Sequence, residues 1–200
     1  MENKTDISAS WHEYQSLPDS EWRKDYFCPD TGGFVATHFY KERDDLRRPG
    51  IAAEVRACLK LAKIGKHVLR LPENIPDLID EITIASVPYR KLLKFKPGET
   101  NPRGYPDAYF DGQTWDFKTS EYSRIKSVRK LIMDGRKADN VIFILKNERS
   151  LDTINGALES EIGNSLKNGT LSELPNNYYM SYGKPLAIWD KKKKTALKAE

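Results

Sequence analysis

Cysteine is scarce in this 200-residue chain, where only Cys28 and Cys58 occur. That excludes a disulfide framework and suits a reducing, cytoplasmic compartment. Histidine is equally thin: His12, His38 and His67 form no motif, so a zinc site is not expected. No apolar run approaches the roughly 18 residues of a membrane-spanning helix. The polar, acidic start at Glu2 and Asp6 is unlike a secretory leader. Gly-rich phosphate loops, serine-hydrolase elbows and internal repeats are all missing. Charge of one sign is missing too, because the net charge is only +4, and attraction to a polyanion has to be local.

What remains is a folded, charged chain. Charged residues make up 31% and hydrophobic residues 38%, a balance that supports a core rather than disorder. The length suits one domain. Residues 1–31 mix aromatics with charges and read as an N-terminal helical extension. Phe34 to Tyr40 reads as the first strand and Pro49 to Lys63 as a helix, with proline in its first turn and Gly65 at its C-terminal end. Val68 to Leu71 is a short strand, and residues 72–104 form a long irregular connection with at most one strand near Ile82–Ala85. Ser120 to about Met133 reads as a helix, Val141–Leu145 as a buried strand, and Ser150–Leu166 as a helix interrupted by Gly156 and Gly163. Tyr178–Tyr182 and Leu186–Trp189 read as terminal strands. This order predicts an α/β (α+β) fold, a central mixed β-sheet flanked by helices, with one domain over 32–190 and a basic tail over 191–200.

The most informative stretch is Tyr105 to Ser120, YPDAYFDGQTWDFKTS. Asp111-Gly112 is a two-residue hairpin signal, because a type I′ turn needs positive φ at both central positions. That turn pairs Phe110 with Gln113 and, further along, Asp107 with Asp116. Facing carboxylates about 4.5–5.5 Å apart at Cβ repel one another, so a positive charge is required, and a divalent cation supplies it economically. Lys118 shares the face of Asp116, while Trp115 and Phe117 point the other way, as a core requires.

Glu54 is the second clue. On the helix it falls inside the apolar arc of Ile51, Val55, Cys58, Leu59, Leu61 and Ala62. A carboxylate facing a core needs either a structural ion pair or a metal. Taken singly, Asp107 reads sooner as a strand-entry aspartate, Asp116 as a solvent-facing polar strand residue and Lys118 as an exposed strand-end lysine. Together with Glu54 they point to a site.

These motifs resemble the PD-(D/E)xK nuclease superfamily, in particular the nuclease domains of contact-dependent growth inhibition toxins and of some phage-associated proteins. The resembling elements are Gly32-Gly33-Phe34-Val35, Glu54, Gly65-Lys66-His67-Val68, Leu71-Pro72-Glu73, Pro106-Asp107 and Asp116-Phe117-Lys118, within residues 32–150. Asp116 stands where glutamate is commoner, and the connection at 74–104 is long. The resemblance implies a restriction-endonuclease-like core and a metal-dependent endonuclease cutting DNA or RNA, tRNA included. It implies Mg²⁺ (or Mn²⁺) held by Asp107, Asp116 and Glu54, with Lys118 acting on the attacking water or the phosphate. Glu73 is a weaker candidate. A toxin or mobile-element role with a cognate immunity protein follows from the same resemblance.

Arg124, Lys126, Arg129, Lys130, Arg136 and Lys137 form a basic segment suited to tracking a phosphate backbone, or alternatively a solvated helix face. Lys191–Lys194 reads as a solvated tail. The competing functions are an inactive nucleic-acid-binding protein on the same fold and a structural component of a phage or mobile element.

Overall fold

The computed structural model describes residues 6–41, 46–120, 130, 132–145, 150–182, 184–190 and 195–198. The chain divides into two compact units, Met1–Arg90 with Tyr105–Thr114 and Lys91–Gly104 with Trp115–Glu200. Each is described by itself, and each bears out the expected mixed β-sheet with helices.

The first unit contains α1 (Ile7–Ser16), β1 (Trp22–Phe27), β2 (Phe34–His38), α2 (Pro49–Lys63), β3 (His67–Arg70), the small β4–β5 ribbon (Thr83–Ile84, Val87–Pro88), and β6 (Ala108–Phe110). Its sheet runs β1-β2-β3-β6, with β2 and β3 parallel and the outer pairs antiparallel. The parallel pair is joined through α2, as a crossover connection requires. All five residues of β2 are buried, so neither face meets water. Tyr14 of α1 stacks near Phe34, and α2 packs across the sheet. A methyl group at Gly33 would sit 1.9 Å from the Ala62 carbonyl oxygen, so only glycine lets β2 enter this close beneath α2. The helix ends as a Schellman closure: Gly65 has φ 85°, and the Lys66 N–H donates to the Leu61 carbonyl.

The expected helical N-terminal extension is half right. Residues 7–16 are helical, but 22–27 form β1, whose register with β2 shifts between Lys24 and Tyr26. Pairing with a buried neighbour overrides a weak local pattern. The two-residue hairpin turn is present: β6 ends at Phe110, the next strand begins at Gln113, and φ is 52° at Asp111 and 73° at Gly112.

The second unit takes up β7 (Gln113–Ser120) from Trp115 onward. β8 (Asn140–Leu145), α4 (Ser150–Lys167), β9 (Asn177–Tyr182), β10 (Lys184–Asp190) and β11 (Thr195–Lys198) follow. The short helix α3 (Tyr89–Leu92) ends in this unit. The sheet order is β7-β8-β9-β10-β11, parallel through β9 and antiparallel thereafter. Ile154, Leu158 and Ile162, spaced by four, bury against Val141, Phe143 and Tyr178. Each aliphatic side chain so buried is worth about 1.5–3 kcal/mol, which outweighs roughly 1 kcal/mol lost at each of Gly156 and Gly163. α4 is therefore unbroken. Part of the expected basic tail is strand: β11 pairs with β10. The expected helix from Ser120 begins later than its cap signal suggested, since β7 continues through Ser120. Residues 121–129 lie outside the described residues, and Ile132–Asp134 is helical.

Candidate functional site

The sequence-derived site residues fall into two clusters, one in each unit. In the first, Glu54 turns inward from α2 and Asp107 sits at the entry to β6. The focus is Lys41, just beyond β2, whose side chain is only 2% exposed. Its Nζ lies 3.3 Å from Glu54 Oε1 and 3.7 Å from Asp107 Oδ1, and it donates to Glu73 Oε1. Backbone hydrogen bonds fix these loops: the Glu73 N–H donates to the Tyr40 carbonyl and the Leu71 N–H to that of Asp107. The Tyr89 hydroxyl holds the Pro72 carbonyl at 2.7 Å.

Arg70 of β3 completes the cluster. Its Nε and Nη2 donate to Glu54 Oε1 at 3.3 and 3.2 Å, and its Nη1 donates to Thr37 Oγ1 at 3.1 Å. Thr37 in turn donates to Asp25. Glu54 is thus held by a structural ion pair, one of the two readings its helix phase left open. Burial pushes the Glu54 carboxyl up; Lys41 opposes this, Asp107 reinforces it and Arg70 opposes it. For Lys41, burial alone would pull the ammonium down, but Asp107, Glu54 and Glu73 outweigh it and hold it above the usual lysine value. Three carboxylates against two cations leave the immediate cluster one negative charge in excess. Cys58, wholly buried beside Glu54, has its thiol pushed up by that burial and is inert.

Among the described residues no three His, Cys, Asp or Glu side chains are arranged to hold a metal ion. The donors around Lys41 suit a hard divalent cation in kind and in charge, being all carboxylate oxygens with an excess of negative charge. Glu54 and Asp107 stand 3.3 and 3.7 Å from Lys41 Nζ, the spacing of an ammonium's partners and wider than the roughly 2.0–2.6 Å of metal–oxygen bonds.

The second cluster inverts the first. Asp116 of β7 is 0% exposed, and it forms ion pairs with Lys118 Nζ at Oδ2 (2.7 Å) and with Lys137 Nζ at Oδ1 (3.0 Å). Lys118 shares its face, as strand alternation predicts, while Trp115 and Phe117 are buried and Trp115 packs on Tyr179. The positive charge that the two aspartates require is therefore present as lysine: Lys41 at Asp107, and Lys118 with Lys137 at Asp116. Beside Asp116, Gly135 packs closely on β8, where a methyl group would lie 2.5 Å from Val141 Cγ2.

Arg136 and Lys137 of the basic segment lie in a 3₁₀ turn, Gly135–Lys137. Arg136 and Arg103 both reach Glu173 Oε2, at 3.3 and 3.2 Å. Lys130 is exposed on the helical residues before them, and Arg124, Lys126 and Arg129 lie outside the described residues, as do Lys191–Lys194.

Sequence reasoning did not single out Lys41, Arg70 or Arg103, and the structure places its weaker candidate, Glu73, against Lys41. Arg70 left a signal, a charge inside an apolar strand. Compared with known proteins, the chain matches no family model, no curated protein and no solved structure. No described helix is long and apolar enough to cross a membrane.

Proposed function

We propose that the chain is a divalent-metal-dependent nuclease that hydrolyses phosphodiester bonds in DNA or RNA. The observation that carries this reading is the meeting of Glu54 and Asp107 in a buried, net negative cluster, from a helix and a strand entry far apart in sequence. Glu54 and Asp107 would hold the cation, Mg²⁺ or Mn²⁺, and Asp116 is assigned as a further donor by the PD-(D/E)xK resemblance. The bound cation would lower the pKa of a water and neutralise charge on the phosphate. Lys118, an ammonium ion-paired with Asp116, is suited to holding a developing phosphate charge. Arg70 would orient Glu54 through its two hydrogen bonds to Oε1. The toxin-like role, the immunity partner and the cytoplasmic setting rest on the resemblance and on the two free, buried cysteines.

A second reading, an inactive nucleic-acid-binding protein, is favoured by the lysines that already compensate both aspartates. Incubation with plasmid, single-stranded DNA and total tRNA, with and without Mg²⁺ or Mn²⁺, separates the two. On the nuclease reading cleavage requires metal, and Asp107→Asn and Lys118→Met each lower it by about a hundredfold or more. Binding without cleavage of any substrate would establish the second reading instead.

A further inference from the structure

The second unit contains a cavity of about 600 Å³ whose wall is mostly cationic. Lys118, Arg136 and Lys137 form one side, and Lys96 and Arg103 reach it from the long connection that the sequence left without a role. Among the described residues, the acidic side chains lining it are Glu99 and Asp134. The connection is an ordered arm rather than a slack loop. Phe95 and Pro102 form a β-bridge, the Arg103 N–H donates to the Lys94 carbonyl at 2.7 Å, and Gly98, at φ 79°, makes the bend.

Lys96 pairs with Glu99 at 3.1 Å, and the other four cations of the wall share two carboxylates. Glu173 serves two guanidiniums, Arg103 and Arg136, and Asp116 serves two ammoniums, Lys118 and Lys137. Each carboxylate thus holds two cationic side chains in place. These four side chains are only 14–19% exposed, unlike a solvated lysine face. Like charges withdrawn from water in a concave wall focus their field on an incoming anion. Guanidinium forks and ammonium point charges together suit phosphate oxygens. The volume lies within the range of ligand sites and leaves room beyond a single phosphate.

We propose that this cavity binds a backbone phosphate of the nucleic-acid partner, and that the 91–104 arm, through Lys96 and Arg103, is a phosphate-binding element. The inference rests on the nucleic-acid reading above but not on catalysis. It is tested by fluorescence anisotropy of a single-stranded oligonucleotide and of a duplex, in EDTA so that no cleavage occurs, over a salt series. Lys96→Gln/Arg103→Gln is compared with Lys91→Gln/Lys167→Gln, which removes the same charge at exposed positions outside the cavity. Lys96→Gln alone serves as a variant whose folding is not at risk.

Loss of two phosphate contacts lowers the slope of log affinity against log salt by roughly 1.4 on single strands and 1.8 on duplex. Lys96→Gln lowers it by about half as much, and the control pair by much less. Equal slopes in the cavity and control pairs overturn the proposal, even if the wild type cleaves nucleic acid. So does wild type that binds inorganic phosphate but no oligonucleotide. A selective slope loss in a protein that never cleaves supports it and counts against the nuclease reading alone.

Discussion

The two units solve opposite electrostatic problems with the same residue types. The first surrounds one buried ammonium, Lys41, with three carboxylates; the second surrounds one buried carboxylate, Asp116, with two ammoniums. An excess of carboxylate calls for a cation, and an excess of ammonium and guanidinium calls for an anion. The proposed phosphodiester cleavage would call for both, so the contrast bears on that proposal more than either cluster alone. It also corrects an inference from the hairpin. Facing aspartates by themselves imply that removing either one relieves repulsion, whereas loss of Asp116 would strip Lys118 and Lys137 of their shared partner; Lys41 would still keep Glu54 and Glu73 after loss of Asp107.

The largest effect is expected from deleting the central charge of the first cluster. Lys41→Met leaves three partly buried carboxylates around an apolar side chain, and breaking a buried ion pair costs about 3–5 kcal/mol. Asp116→Asn, the mirror-image change, is isosteric, keeps an acceptor oxygen and strands two like charges rather than three, so its cost is smaller, about 1–3 kcal/mol. Urea denaturation of both variants, with and without Mg²⁺ or Ca²⁺, tests the contrast. Divalent cation should return part of the stability lost by Lys41→Met and none of that lost by Asp116→Asn. Equal losses, indifferent to metal, would mean that the clusters are ordinary ion pairs of one kind.

How much of this was legible depended on whether the signal was local. Pro49, the apolar arc and Gly65 mark α2 from end to end, and Asp111-Gly112 marks the hairpin turn, because backbone geometry demands those residues there. The inward phase of Glu54 and the shared face of Asp116 and Lys118 follow from helix and strand periods alone. Lys41 was not legible. Nothing in its neighbours says it will be buried; that depends on α2, the Glu73 loop and the strand entry at Asp107 arriving together. The strand character of β1 and β11 was hidden for the same reason, since a partner strand decides it.

An intermediate effect concerns pH and is confined to the first unit. Burial of His38 beside Trp22 and Tyr40 lowers its pKa from 6.5 to about 4. A depressed folded value means that the unfolded chain takes up the proton first. The stabilisation is complete above about pH 6.5 and is lost as pH falls through about 4, by at most about 3 kcal/mol. Glu54 acts in the opposite sense: its raised pKa gives a contribution complete below the ordinary carboxylate range and lost as pH rises through the raised value. His38→Leu forfeits the hydrogen bond from the Tyr40 N–H, about 1 kcal/mol, but removes the acid-side loss. Its stability should be flatter than that of the wild type between pH 6.5 and 4. A variant with the full wild-type slope would place the acid-sensitive group elsewhere.

The smallest effect is a sign reversal, and it bears on the second cluster most directly. Glu173 accepts Arg103 and Arg136 at the same oxygen, Oε2, behind the cationic wall. Glu173→Gln keeps the shape and one acceptor oxygen but removes the charge that partly neutralises both guanidiniums. A carboxylate that only weakens the local field is worth a few tenths of a kcal/mol against an approaching polyanion, as partly exposed ion pairs generally are. Nucleic-acid affinity should then rise about twofold, with a slightly steeper salt slope and less than about 1 kcal/mol lost from stability. Affinity that falls instead would show that Glu173 matters for holding the two guanidiniums in register, and that geometry rather than net charge governs the wall. No such gain is expected from an acid-to-amide change in the first unit, where the excess charge is already negative and repels a phosphate unless a cation intervenes.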